Sequence, residues 1–204
     1  RLGTSTPAER GGESKTPIPR IPIPDAATCK HDCNALAAHY HIRLKYGPSS
    51  ALVKAVASAL ELLGITDRAT FLSTASIMID DTAYLPFRVG SNTKPLWAQV
   101  ADVAHECQHA AQARAAKGTW LGNYFGSRAK RADYECQAYA VSQEVIWRTV
   151  GKMPDARSLA ERMRFYQLGT EDINNCYKYL AMRQATLKRG GQSCDQIGVI
   201  AMAV

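Results

Sequence analysis

The spacing of apolar residues changes period several times along the chain, and each change marks an element. Residues 1–28, with Pro7, Gly11, Gly12, Pro17, Pro19, Pro22 and Pro24, carry no periodic apolar face and read as an extended linker, close to polyproline II through the Ile-Pro alternation of Ile18–Pro24. Residues 29–204 form the expected domain. Cys33, Leu36, Ala37 and Tyr40 share a helical face, which predicts a helix capped by Asp25 or Thr28 and running to about Gly47-Pro48. A second helix, with Leu52, Val53, Val56, Leu60 and Leu63 at helical spacing, should end at Gly64. Phe71–Asp80 and Tyr84–Val89 are β-prone runs separated by Asp80, Asp81 and Thr82, which predicts an antiparallel hairpin whose second strand, carrying Pro86, lies at an edge. Thr93 and Pro95 then mark the start of a long helix through Leu96, Val100, Val103, Ala104 and Ala111 to about Lys117. A loop through Gly118, Gly122 and Gly126 follows, and after it helices over roughly 127–150, 155–168 and 170–188. The fold class expected is α+β, mainly helical, with a small antiparallel sheet packed on the helix that contains residue 105.

Composition narrows the classes. A chain of 204 residues with 46% hydrophobic and 21% charged residues has enough apolar material for one core and is not a disordered polymer. Its longest apolar runs fall far short of the roughly 20 residues a membrane-crossing helix requires, so no membrane span is expected. The net charge of +7 is unevenly placed, since residues 105–190 hold fourteen basic and eight acidic residues. That excess could steer an anionic partner. It is dispersed along helices without a compact Lys/Arg run interleaved with aromatics, so nucleic acid is not the expected partner.

His105-Glu106-Cys107-Gln108-His109 carries the chemistry. Two histidines four apart on a helix point the same way and can each give a ring nitrogen to one Zn2+, while the glutamate between them can act as general base on water. A catalytic zinc needs a third protein ligand, and no histidine follows His109. Glu135, 26 residues on, lies on the next expected helix, where Ala138, Tyr139 and Ser142 share its side. Glu144 sits about half a turn away and Asp133 about 200° round, which disfavours both.

The motif resembles that of the zincin metallopeptidases, and the glutamate on the following helix is similar to the gluzincin arrangement. The longer histidine-containing extension of metzincins is missing, because Gln112 stands where its glycine would be. The resemblance implies a zinc-dependent peptidase with His105, His109 and Glu135 as metal ligands and Glu106 as general base, acting on a protein or peptide substrate. Many gluzincins carry an aspartate four residues after the ligand glutamate; here Tyr139 stands there, a candidate to orient a ligand or stabilise the oxyanion, beside Tyr124 and Tyr134. The run Tyr84–Val89 would serve as the edge strand that holds an extended peptide.

Cys29, His31, Cys33, His39 and His41 lack a Cys-x-x-Cys knuckle, and His39 and His41 point to different helix faces, which argues against a second, structural zinc. Six cysteines suggest an oxidising destination. Cys176–Cys194 would pin the C-terminal tail. Cys107 and Cys136 either bridge the two ligand helices or stay reduced in the core. Size, leader and cysteine content resemble toxin or effector modules carried by larger bacterial secretion proteins, which implies a secreted chain or one delivered to the periplasm or a target cell. Two other readings stay open: a zinc amidase acting on peptidoglycan peptides, and an inactive zinc-containing module that binds an anionic surface.

Overall fold

The computed structural model describes residues 20–62, 64, 67–192 and 200. Helix α1 (Ala26–His39) is capped by the Asp25 side chain, which accepts from the Thr28 amide. The chain joins the folded body before this, because Ile21 is buried and its N–H donates to the Arg148 carbonyl. The stretch 1–19 of the expected linker lies outside the described residues.

α1 stops well short of the expected Gly47-Pro48. His41 takes a left-handed backbone (φ 47°), and Arg43–Tyr46 becomes strand β1. α2 (Ala51–Leu62) follows a 3-10 turn at Gly47–Ser49. The expected strand Phe71–Asp80 is divided. Asp67 caps the Thr70 amide and starts the short helix α3 (Arg68–Thr74), leaving Ile77–Ile79 as β2. Asp80 (φ 52°) and Asp81 then turn the chain into β3 (Thr82–Leu85).

Strand order is β1-β3-β2, with β1 parallel to β3 and β2 antiparallel to it. The sheet is therefore mixed rather than purely antiparallel, and the run beginning at Tyr84 supplies its central strand rather than an edge. Pro86 falls one residue past Leu85 and is not asked to donate to a ladder. All four residues of β3 are buried, because both faces are covered. Ala83 and Leu85 join α1 and α4 in one core with Leu36, Val100, Val103 and Cys107, while Tyr84 packs with Val53, Ala57 and Phe71 from α2 and α3.

The long helix α4 (Leu96–Ala115) has Pro95, not Thr93, at its cap position. Pro95 has no side-chain donor or acceptor, and the start is fixed instead from inside the helix. The buried Gln99 amide donates to the Ser91 and Lys94 carbonyls, and its oxygen accepts from the Gly90 N–H. After α4, Lys117 (φ 47°) and Gly118 (φ 87°) reverse the chain into α5 (Trp120–Gly126), where a loop was expected. α6 (Arg128–Val150) is capped by Ser127 and ends at Gly151, whose φ of 75° suits glycine and whose position would put any Cβ into the Arg20 guanidinium. α7 (Ala156–Glu161), a 3-10 turn (Arg162–Tyr166) and α8 (Thr170–Lys188) complete the described chain.

The result is an α+β fold, mainly helical. Cys136, Ala140, Leu159, Met163, Ile173 and Leu180 fill a second core between α6, α7 and α8. α4 is thus covered by the sheet and α1 on one side and by α6 on another. Contacts run from Gln112 against Tyr134 back to Ala101 against Ser142, so α4 and α6 are antiparallel. No helix among the described residues is long and apolar enough to cross a membrane.

Candidate metal centre

His105 and His109 lie one turn apart on α4, and their rings meet edge to face at 4.9 Å between centroids. α6 brings Glu135 onto this pair. Its Oε2 is 3.5 Å from His105 Nε2 and its Oε1 is 3.5 Å from His109 Nε2. Among the described residues these three form the single group of histidine, cysteine or carboxylate side chains able to hold a metal ion, with ligand atoms all within 4.8 Å of one another. The separation suits the chemistry. Metal bonds of about 2.0–2.2 Å at the tetrahedral angle place neighbouring ligand atoms about 3.3–3.6 Å apart. At 3.5 Å the nitrogens and oxygens are too far apart for good hydrogen bonds, and Glu135 Oε2 has no hydrogen-bond partner.

The far side of each ring is held by the protein. Gln112 spends both amide hydrogens on carbonyl oxygens, donating to Tyr134 O and Gln137 Oε1 at 3.0 Å each. Its own oxygen must therefore accept from His109 Nδ1–H at 2.9 Å, which leaves Nε2 as the unprotonated nitrogen facing Glu135. The Ser142 hydroxyl lies 3.4 Å from His105 Nδ1 and donates to the Ala101 carbonyl at 3.3 Å, a longer version of the same arrangement. Neither partner was singled out from sequence for this role, although Ser142 shares a helix face with Glu135 and Gln112 follows His109 by three residues.

Tyr124 on α5 donates to Glu135 Oε1 at 2.5 Å. Trp120 covers His109 at 5.9 Å and stacks on Tyr134, while Arg131 donates to the Tyr124 carbonyl and ties α5 to α6. Gly118, Gly122 and Gly126, spaced through this stretch, give α5 the look of a loop in sequence. The signal that could have found it is Trp120 and Tyr124 at helical spacing.

Burial and charge act against each other at the site. Burial would raise the Glu135 pKa, but His109, His105 and the Tyr124 hydroxyl outweigh it and hold the carboxyl below its usual range. Burial pulls His105 down, yet Glu135, Glu106 and Asp102 more than compensate and raise it; His109 is lowered, chiefly by burial. Glu106 is pushed up to about 8 by burial, with the neighbouring His105 opposing. Its Oε2 is buried without a hydrogen-bond partner.

His105, Glu106 and Tyr139 line a cleft of about 1020 Å³ bounded by Thr74–Ser76 ahead of β2, by α4 and α6, and by the ends of α7 and α8. β2, the edge strand on the α4 side of the sheet, takes the place expected for the run at Tyr84. The Tyr139 ring stands against His105 at 5.0 Å, and Tyr166 lines the same wall. Tyr124 and Tyr134 are elsewhere: the first is committed to Glu135, and the second stacks under Trp120 off the cleft.

The carboxylates disfavoured from helix phase are also accounted for. Glu144 is buried and paired with Arg148 at 2.8 Å, and Asp133 lines a smaller, separate pocket. Cys107 and Cys136 are free thiols in different cores, Cys107 on the α1 side and Cys136 against Cys176 of α8. Cys194, and with it the expected Cys176–Cys194 bridge, lies outside the described residues. His31, His39 and His41 are exposed and form no metal-binding group with Cys29 and Cys33.

Compared with protein-family models, curated proteins and solved structures, the chain matches none.

Proposed function

We propose that the chain is a zinc-dependent peptide hydrolase, with His105, His109 and Glu135 as ligands, Glu106 as general base and Tyr139 as an oxyanion donor. One observation carries the reading: a buried carboxylate set 3.5 Å from two imidazole Nε2 atoms, with a second, unpartnered carboxylate on the same turn facing a cleft. A Zn2+ held there would polarise a substrate carbonyl and acidify water.

The remaining steps belong to the chain. Gln112 and Ser142 each accept the Nδ1–H of a neutral imidazole, which turns the Nε2 lone pair of that ring towards the metal position. Glu106 accepts a proton from water and returns it to the leaving amine; a neighbouring dication favours its carboxylate form and offsets the burial that holds it near 8. Burial keeps Tyr139 and Tyr166 protonated through neutral pH, so their hydroxyls remain donors for negative charge developing on the carbonyl oxygen. Delivery to the periplasm or a target cell as part of a larger protein rests on the leader composition alone, since the five described cysteines are free thiols; peptidoglycan peptides are among the substrates this chemistry admits.

Metal analysis of the purified protein should find about one zinc per chain, removable by a chelator. Glu106→Gln should keep that zinc and lose peptide hydrolysis by about 10²–10⁴-fold. Native protein without zinc, or Glu106→Gln with full activity, overturns the proposal.

A further inference from the structure

The cleft does not stop at the metal centre. It follows α6 from Tyr139 through Ser142 and Ile146 to Val150, and continues over Met153 and Pro154 to Lys188 at the end of α8. At 1.5 Å per helical residue, Tyr139 to Val150 spans about 16 Å, the length of about five residues of extended chain.

Three of its lining cations have no carboxylate partner among the described residues, a state they share with other surface basic residues such as Lys45, Lys54 and Lys130, but here they are gathered on one cleft. Arg43, Arg128, Arg148, Arg157 and Arg164 all have carboxylate partners elsewhere. Lys152, Arg162 and Lys188 come from three different elements, line the one cleft, are exposed, and form no ion pair among the described residues. Three acidic residues line the walls, and one of them, Glu106, whose Oε2 has no hydrogen-bond partner, stands at the metal end. Asp102 is paired with Lys94, and Asp155 accepts from the Ser158 amide and hydroxyl at 2.7 Å to cap α7. The C-termini of α6 and α8 bring about −0.5 charge each to the far end. Set against three cations, that and Asp155 leave a balance of about +1 along this arm.

We infer that this arm of the cleft binds an acidic peptide segment, with carboxylates two to five residues from the reacting bond seated on Lys152, Arg162 and Lys188. The inference rests on the peptidase reading for what happens at the metal, but not for binding.

Two experiments separate the two. Zinc-loaded Glu106→Gln is titrated with fluorescein-labelled hexapeptides that are alike except for Glu or Lys at the positions reaching the arm, and binding is read by anisotropy. The acidic peptide should bind about tenfold more tightly than the basic one, with the difference shrinking as salt is raised. Adding Lys152→Glu and Lys188→Glu should remove the preference. Lys54→Glu with Lys178→Glu, the same charge change at two exposed positions outside the cleft, should not. Hydrolysis of the unlabelled pair by the zinc-loaded wild type should show the same order.

Equal binding of both peptides, or a preference that survives the double reversal, overturns the inference even if both peptides are cleaved. Acid-selective binding without cleavage of any peptide upholds it and overturns the peptidase reading instead.

Discussion

Replacing Gln112 by Met tests whether the imidazole orientation observed on α4 matters to metal binding. Met has similar volume and fills the same space, but it neither accepts from His109 Nδ1–H nor donates to Tyr134 O and Gln137 Oε1, the three contacts of 2.9, 3.0 and 3.0 Å that Gln112 makes. Losing a partner that orients a metal-bound histidine typically weakens metal affinity about 10–100-fold, or about 1.4–2.7 kcal/mol. Ser142→Ala removes the equivalent contact to His105. There the separation is 3.4 Å and the hydroxyl is shared with two backbone carbonyls, so the loss should stay below about threefold. The measurement is competition for zinc against a chromogenic chelator at fixed pH, with a thermal melt of each metal-free protein to confirm folding. The order of effects is the test, Gln112→Met large and Ser142→Ala small. Wild-type affinity in Gln112→Met, or the reverse order, would refute the assignment of Gln112 as the group that sets the His109 tautomer.

Glu135→Ala should abolish tight zinc binding. Glu144→Ala should leave the zinc content of folded protein unchanged but cost about 3–5 kcal/mol in a denaturant titration, because it strands the buried Arg148 guanidinium. Asp32 should show the opposite sign in stability. It is 1% exposed, its Oδ1 has no hydrogen-bond partner, and burial raises its pKa, with His31 opposing weakly from 3.9 Å. The folded carboxyl holds its proton more tightly than the unfolded one, so Asp32 costs nothing below the unfolded value of 3.8 and its full penalty is present once pH has risen past the folded value. Asp32→Asn should therefore raise Tm by about 2–4 °C at pH 8 and not at all near pH 3; an unchanged or lower Tm at pH 8 would count against the burial penalty.

What the sequence revealed depended on how local each feature is. His105 and His109 are four residues apart, and helix geometry alone puts them on one face. Glu135 was separable from Asp133 and Glu144 by phase on a single helix, and the structure puts that carboxylate, not the other two, beside the histidines. The features missed are set by pairing between distant segments. β1 carries a local signal, Ile42, Leu44 and Tyr46 alternating with Arg43 and Lys45, but the run is short, and the parallel edge offered by β3 is what fixes it as a strand. That same pairing makes β3 central and leaves β1 and β2 as the edges. Gln112 and Ser142 hold the imidazoles through the antiparallel register of α4 on α6, which no local window contains. Cys107 and Cys136 each follow a key glutamate, yet adjacency along the chain did not make them neighbours in space, because about 100° of helix rotation turns each away from the α4–α6 seam into a different core.

The cost of the seam itself bears on function. His105, Glu106, His109 and Glu135 are 8%, 3%, 5% and 1% exposed, and they sit where two long helices could have packed Ala and Leu against one another. Two carboxylates and two imidazoles in such a place must be desolvated, and attraction between them offsets this only partly, since the His–Glu contacts are long and both Glu106 Oε2 and Glu135 Oε2 lack partners. Apolar side chains of similar volume would make the more stable interface. The surrounding groups nonetheless spend directed hydrogen bonds on holding this one in a single arrangement, from Gln112, Ser142 and Tyr124. A seam costly as packing and yet restrained by these contacts is consistent with the proposed zinc site, where a dication between the two Nε2 atoms and the carboxylate would satisfy Glu135 Oε2, which the protein leaves unpaired. Saturating zinc should accordingly raise the Tm of the wild type and leave that of Glu135→Ala unmoved; equal shifts in the two would place the binding elsewhere.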